Sequence, residues 1–488
     1  MIIPIVGSAY KDSSVEVDLQ NCVNFYLNSD VTGKFPLNLY PRPGLTLFSA
    51  GTASQKEVRE LFSMNDMCYT VIDNTLYWLR SNGSREALGT LNTSTGAVTI
   101  RVNGKDAMIV DGFFGYVHEY KTGLDANPAN IFSNITDADF IPPDTVEFQD
   151  GYFLYPQRDS QKIWRTDLLD PKNISALSFQ SVSGRPDNVV ALISSHQELW
   201  VFCTQTTEVF YNTGDVTLPF QRRQTLLIEY GCAAAKSVCR GDNGSIIWLS
   251  KNEQGKAIVV STSGYAPQVL STSAMVFEMG KYETINDAKA FIFQLDSHVF
   301  YVLTFPTEDK TWVYDILTKS WSEWGSTISN TSPETEDTHL GRWLPNCFTS
   351  FAGKQLVGDY ASGNIYQIDT SNHTDNSTYV IRERTTRHFQ SELKITSINY
   401  LQIDFESAVG KVSGEGELPE VMLQYSKDNG HTWSNEMWRS VGKIGQYGYR
   451  VRWNRLGSAR DWVFKIRMSD PVKWVIIGAV ADIEVEGT

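Results

Sequence analysis

Val146-Glu147-Phe148-Gln149-Asp150-Gly151-Tyr152-Phe153-Leu154-Tyr155, followed by Lys162-Ile163-Trp164, is the stretch on which the fold turns. Apolar and aromatic residues crowd both arms, and Asp150-Gly151 between them supplies residue types that tolerate the positive φ angles of a tight hairpin turn. The same grammar recurs in the runs Leu61 to Leu79, Val98 to Tyr120, Val189 to Tyr211, Ser245 to Val269, Ala290 to Trp321 and Phe348 to Ile368, with further turns at Asn103-Gly104, Asn243-Gly244 and Ala352-Gly353. Successive runs start about 35 to 60 residues apart, a period that points to propeller blades even though no consensus repeat is present. A β-sandwich, or two packed sandwiches, would use the same signals. The paired runs continue unbroken from Leu61 to Ile368, which favours a β-propeller of six or seven blades over residues 51–375.

Outward from that series, residues 1–50 read as an extended N-terminal arm, because Tyr40-Pro41-Arg42-Pro43-Gly44 fixes an extended or turning backbone. Ser326 to Arg342, acidic at Glu334, Glu336 and Asp337, reads as an exposed loop, and Thr370 to Ser377 as a linker. Residues 376–488 alternate strictly: Leu401, Ile403 and Phe405 against Gln402, Asp404 and Glu406; Tyr449, Val451 and Trp453 against Arg450 and Arg452; Trp462, Phe464 and Ile466 against Lys465 and Arg467. That is the pattern of half-buried strands, and it predicts a small C-terminal β-sandwich of about seven strands. The class expected for the whole chain is therefore all-β.

Composition narrows the function. A chain of 488 residues, 41% of them apolar, can bury a large core, and a formal charge of −14 argues against a protein that coats DNA phosphates. No apolar run approaches the roughly 20 residues needed to span a bilayer, and the first residues carry no basic leader, so a soluble chain without membrane contact is expected. Six cysteines are scattered without a C-x-x-C pair, as reduced thiols of a cytosolic product would be. The seven histidines show no zinc spacing and no phosphate loop is present, so no metal, cofactor or catalytic residue is assigned. Gly442, Gly445 and Gly448 read as hairpin glycines.

Two motifs remain. Ser426, Asp428, Gly430, Thr432 and Trp433 form the S-x-D-x-G-x-T-W pattern of an Asp box, a hairpin staple in which Ser426 and Asp428 bind the turn backbone and Trp433 packs beneath. Asp boxes are frequent in sialidases, so a carbohydrate-binding or glycosidase-like propeller is the alternative; such enzymes carry several copies and need a pair of carboxylates, and here there is one copy. The second motif is basic: Arg450, Arg452, Arg455, Arg460, Lys465 and Arg467 lie in a stretch whose one acid is Asp461. The plainer account is a solvated strand face; the functional one is a contact surface for an acidic partner subunit.

Ser183-Gly184-Arg185-Pro186-Asp187-Asn188-Val189-Val190, with Glu198 to Phe202 and Thr207 to Gly214, resembles the packaged-DNA stabilization, tail-hub or head-closure family of Salmonella-type short-tailed bacteriophages. That family shows a P-D-x-[IV] turn, a strand, and a T-x-E-[VY]-F-x-x-T-G strand at matching places. Leu295 to His298, Trp312 to Asp315, Val23 to Tyr26, Pro43-Gly44, Arg452 to Gly457 and Phe464 to Arg467 extend the likeness over nearly the whole chain. The resemblance implies a non-enzymatic virion component, assembled in the bacterial cytoplasm as a hexameric ring. Its implied partners are a portal-associated adaptor ring, tail fibres or spikes and a tail plug or needle, with DNA passing through unbound by specific contacts until ejection.

Overall fold

The computed structural model describes residues 1–485 apart from 31, 65, 120–131, 183, 242–243 and 330–337. Seven four-stranded antiparallel blades follow one another among the described residues, the first five as separate sheets and the last two as parts of larger ones: blade 1 from Val58–Met64 to Arg85–Thr90, blade 2 from Thr99–Val102 to Phe132–Asn134, blade 3 from Glu147–Gln149 to Phe179–Ser181, and blade 4 from Val189–Ser195 to Phe220–Ile228. Blade 5 runs from Cys239–Arg240 to Ala266–Val269 and blade 6 from Lys289–Leu295 to Ser320–Glu323. Blade 7 has three strands in sequence, Pro345–Phe351, Lys354–Asp359 and Ile365–Asp369. The first strands of successive blades touch one another in a cycle that closes between blades 7 and 1, so they line a central axis. Each of the seven runs read from the sequence is one blade.

Turn chemistry explains why the repeat has no consensus. Asp150-Gly151 and Ala352-Gly353 take positive φ between the first two strands of their blades, and blade 4 makes the same turn with His196 and Gln197, at 50° and 62°, without a glycine. After the second strand, Asp111 accepts the backbone N–H groups of Phe113 and Phe114 and the hydroxyl of Tyr116 at 3.0 Å. Asp359 does the same for Ala361 and for Tyr366 at 3.0 Å. The tyrosine stands five positions on in one blade and seven in the other, so the motif recurs in space and not in register.

The first fifty residues are not an arm. Gly44–Ser49 is the outer strand of blade 7, antiparallel to Ile365–Asp369, so the propeller ring is closed by a strand from the other end of the sequence. Leu19–Val23 lies between the last strand of blade 6 and Arg382–Thr385, making one continuous sheet from blade 6 into the C-terminal sandwich. Phe25–Ser29 and Leu37–Pro41 join the opposite sandwich sheet beside Ile476–Val485, Thr396–Phe405 and Val451–Ala459. The prolines of the 40–44 segment fix extended backbone, and extended backbone inserted between open edges becomes a strand.

Two further expectations are revised. Gly325–Ser329 and Thr338–Arg342 pair as a hairpin, and Ser326 and Thr327 are buried; Glu334, Glu336 and Asp337 lie outside the described residues. The 370–377 stretch is a packed crossing rather than a free linker, because Thr374–Asp375 pairs with both Leu45 and Thr378–Tyr379 and Asp375 is buried.

One apolar core spans both domains. Ile247 and Leu249 of blade 5 and Tyr301, Leu303 and Trp321 of blade 6 pack in the same cluster as Leu401, Trp453, Trp462 and Phe464 of the sandwich. Separate domains on a linker move relative to one another by default; a shared core with a shared sheet removes that freedom.

His118, on the third strand of blade 2, faces Tyr69 of blade 1, with its Nδ1 3.0 Å from the hydroxyl and its Nε2 without a partner among the described residues. Burial lowers its pKa to about 4 from the ordinary 6.5. The folded state therefore holds it neutral while the unfolded chain takes up a proton between those values. The contribution is complete above pH 6.5 and is lost as pH falls through 4. Thermal midpoints of the whole chain are expected to drop over that window, and His118→Phe is expected to shallow the drop by roughly 1–3 kcal/mol; an identical acid slope in the variant would remove the assignment.

Candidate functional site

Five regions could carry function: the propeller axis, the cavities, the Asp box, the basic stretch and the joint between the domains. The axis is occupied by charge. Lys236, in the connection between blades 4 and 5, reaches across to blades 1 and 2, where its Nζ donates to the Val98 carbonyl, to Thr99 Oγ1 at 2.8 Å and to Glu60 at 3.2 Å. Lys289 of blade 6 bonds Glu57 at 3.2 Å and Asn346 of blade 7 at 3.0 Å, and Asn346 in turn donates to Glu57 at 2.9 Å. Arg101 of blade 2 pairs with Glu147 of blade 3 at 3.2 Å. Three cations and three carboxylates thus tie first strands across the ring, where many propellers keep an open funnel.

A cavity of about 480 Å³ opens between blades 4, 5 and 6, and among the described residues Glu198 is the one carboxylate in its lining. Glu198 accepts the Tyr265 hydroxyl at 2.8 and 2.9 Å and pairs with Arg223 at 2.6 Å, which holds it as a satisfied anion. A second cavity of about 330 Å³ lies where the helix Ser273–Met279, blade 6, the N-terminal segment and the sandwich meet. Its carboxylates are engaged as well: Glu323 with Lys310 at 2.6 Å, Glu278 with Lys281 at 2.6 Å, and Glu383 with the Asn21 amide at 3.2 Å. Among the described residues neither lining offers the free acid and base that glycoside cleavage uses.

Two histidine–aspartate pairs, one buried and one half-buried, invite comparison with hydrolytic dyads. His298 Nδ1 lies 2.7 Å from Asp315, but its Nε2 faces the Asn28 amide oxygen at 3.2 Å. His388 Nδ1 contacts Asp461, and its Nε2 donates to the Val15 carbonyl at 2.9 Å. A general base needs that second nitrogen for a nucleophile. Among the described residues no three His, Cys, Asp or Glu side chains gather as metal ligands, and no helix is long and apolar enough to cross a membrane.

The Asp box has the geometry of a staple. Asp428 accepts the Thr432 hydroxyl at 2.6 Å and its N–H at 2.8 Å, and the Ser426 hydroxyl at 2.7 Å, which hold its carboxyl well below the usual range. Asn429 and Gly430 take positive φ, and a Cβ on Gly430 would collide with Leu19. The turn therefore closes on the N-terminal segment, at Val15 and Leu19, and not over an open site. Trp433 packs against Lys465, whose Nζ is 4.0 Å from the ring centre, and both line the second cavity.

The basic residues do not form one surface. Val451–Ala459 and Asp461–Met468 belong to opposite sheets of the sandwich, with Val451, Trp453, Trp462, Phe464 and Ile466 turned inward. Strand alternation then sends Arg452 to one outer face, over Tyr400 at 4.0 Å, and Lys465 and Arg467 to the other. Arg460 donates to the Leu393 carbonyl, Arg455 sits at a positive-φ bulge, and Arg450 is exposed in the loop before the strand with Tyr449, which is also outside it.

What sequence reading missed is the joint. Arg42 is fully buried and all five of its N–H groups are used: Nε to Asn24 at 2.7 Å, one terminal nitrogen to the Pro43 carbonyl and Asp375, the other to the Gly325 carbonyl and Asp375 at 2.6 Å. Asn24, at φ 57°, donates in turn to the Ile381 carbonyl. One side chain thereby links the N-terminal strands, the hairpin before blade 7, the 370–377 crossing and the entry to the sandwich. Arg384, equally buried, holds the carbonyls of Ile5, Ser8 and Asn21 and the Gln20 side chain. The signal in the sequence was slight: an arginine between two prolines.

A propeller followed by a sandwich is also what comparison with known proteins returns. The family described as bacteriophage P22 Gp10, beta-propeller, matches residues 1–373, and the companion family, bacteriophage P22 Gp10, beta-sandwich, matches residues 381–484. The chain belongs to the bacteriophage P22 Gp10 family. It is the packaged-DNA stabilization or tail-hub family of Salmonella-type phages that the strand and turn residues resembled, and membership makes the chain a structural component of a phage virion at the tail or head closure. It also points to a non-enzymatic protein. No curated protein matches the sequence. Among solved structures the Gp10-family chain is similar to one from an S. cerevisiae complex of dbp5 with nup159, gle1, ip6 and adp, at 10% identity over 72% of this chain and 99% of that one, TM-score 0.40. It is also similar to a putative 6-phosphogluconolactonase from Bacteroides uniformis, at 12% identity over 65% and 96%, TM-score 0.38. Likeness this distant carries no functional argument.

Proposed function

We propose that the chain is one wedge of a closed hexameric ring seated below the portal and its adaptor ring in a short-tailed phage, where it narrows and closes the DNA channel after packaging. The observation that carries this reading, given the family, is the rigidity of the joint: a shared sheet, a shared core and the Arg42 and Arg384 ties leave no hinge between propeller and sandwich. A stiff wedge suits a ring, in which each modest contact is repeated and reinforced by closure. With a formal charge of −14 the wall repels duplex, so the genome passes without specific binding and is retained mechanically, by a plug or needle below. Fibres or spikes attach outside the ring, and assembly takes place in the host cytoplasm.

Particles assembled without this chain are expected to fill with DNA and then lose it, and addition of the purified chain before release is expected to keep them full. Mass spectrometry of complete particles should find the chain at a small fixed copy number. Heads that stay full and infectious without it would overturn the proposal.

A further inference from the structure

The loop between Met437–Ser440 and Val451–Ala459 leaves an apolar patch uncovered. Ile444, Tyr447 (77% exposed) and Tyr449 project from it, Trp438 on the strand before it is exposed as well, and Arg450 has no carboxylate partner among the described residues. Lys443 pairs with Glu417 and Val441 bonds Pro419, so the loop is anchored at its base while its tip faces solvent. Exposed tyrosine, tryptophan and arginine together are the composition of a protein-contact centre and not of ordinary surface. The strand that leads into the loop is the last of its sheet, five strand positions away from blade 6.

A second uncovered patch lies on blades 3 and 4. Leu168 and Leu169 stand beside Val216 (85% exposed) and Leu218. They form one surface: Leu169 bonds the Gly151 carbonyl, Asn212 bonds Asp150 at 2.9 Å, and Arg165 bonds the Thr217 carbonyl at 3.1 Å. Asp150, Asp167, Asp170 and Asp215 rim it, and none of them has an ion-pair partner among the described residues. In a ring of seven blades, blade 3 lies nearly across the axis from blade 6, where the sandwich is fused, and blade 4 stands two positions from it. The two patches are therefore separate surfaces of one rigid body, one aromatic and basic, the other aliphatic and acidic.

We propose that the 441–450 loop of one copy docks on the leucine–aspartate face of blades 3 and 4 of the next copy. Such a contact is heterologous, the kind that generates rings when its rotation closes. The inference rests on the ring reading above, and adds which surfaces meet.

The test uses the full-length chain, whose six native cysteines are free and, except Cys239, buried. Tyr447→Cys and Val216→Cys are introduced together, and assembled oligomers are treated with a flexible bis-maleimide. A ladder of covalent multimers is expected from the double variant, heterodimers alone from a mixture of the two single variants, and monomers from either single variant. Arg450→Asp is expected to weaken assembly at least tenfold. Oligomers that form normally yet give no ladder would overturn this inference and leave the ring standing; a Tyr447→Cys single variant that links to itself would place loop against loop and also overturn it. A wild-type chain that stays monomeric in solution and in particles would sink both readings.

Discussion

A chain that starts at residue 51 is expected to fail to fold, in the sandwich as well as the propeller. The missing strand Gly44–Ser49 leaves the Ile365–Asp369 edge of blade 7 open and takes Leu45 out of the core beneath it. The ring is then held shut by the packing of blade 7 on blade 1, without the strand that completes blade 7. In the sandwich the loss is as large: Leu19–Val23, Phe25–Ser29 and Leu37–Pro41 leave both sheets, and Ile3, Ile5, Cys22, Phe25 and Leu39 leave the shared core. Buried Arg384 loses every acceptor it has, and buried Arg42 goes with the deleted segment, taking with it both bonds it donates to Asp375. Each stranded charge costs several kcal/mol and each lost core side chain about 2–5, so the sum exceeds the roughly 5–15 kcal/mol that holds a domain together. Circular dichroism and thermal unfolding of the purified fragment should show no cooperative transition. A transition within a few degrees of the full chain would show the N-terminal strands to be appendages after all.

The same segment marks the limit of what could be read from the sequence. Blade runs were legible because each strand pair is built from neighbours in sequence: Val146 to Trp164 announces its own hairpin through Asp150-Gly151. The sandwich strands were legible for a similar reason, since alternation at Leu401 to Glu406 reports a face without naming its partner. Pairing at long range is a different matter. Tyr40 to Gly44 looks like an extended arm because nothing local says that residue 45 will lie beside residue 368, or that Arg42 will find Asp375. The basic stretch failed through the complementary error: nearness in sequence between Arg452 and Lys465 hid a crossing from one sheet to the other. Of the candidate residues, Ser426, Asp428, Gly430 and Thr432 bond one another because an Asp box is closed by bonds within seven residues of itself.

Asp375→Asn is expected to destabilise the chain by about 3–5 kcal/mol, the range for breaking a buried pair from one side. Asp375 is paired with one buried guanidinium, Arg42, and acts electrostatically on a second, Arg382. It accepts from Arg42 at 2.9 and 2.6 Å and from Ser326 at 2.7 Å. Arg382 is close enough to feel both partners: burial first, and then the charge of Arg42, lower its pKa to about 9, and Asp375 is the one group that works the other way. Neutralising the carboxylate therefore leaves two cations facing each other in a space with no anion. Removing Arg42 instead, as Arg42→Met, leaves one carboxylate and one guanidinium, and Arg382 remains to balance Asp375. The order is thus fixed by the structure: Asp375→Asn should cost more than Arg42→Met, although the asparagine is nearly isosteric and the methionine deletes five hydrogen bonds. A size or hydrogen-bond account predicts the reverse. Urea unfolding of the two variants decides between them, and a loss below about 1 kcal/mol for Asp375→Asn, or the opposite order, would mean that the knot is held by packing and not by charge.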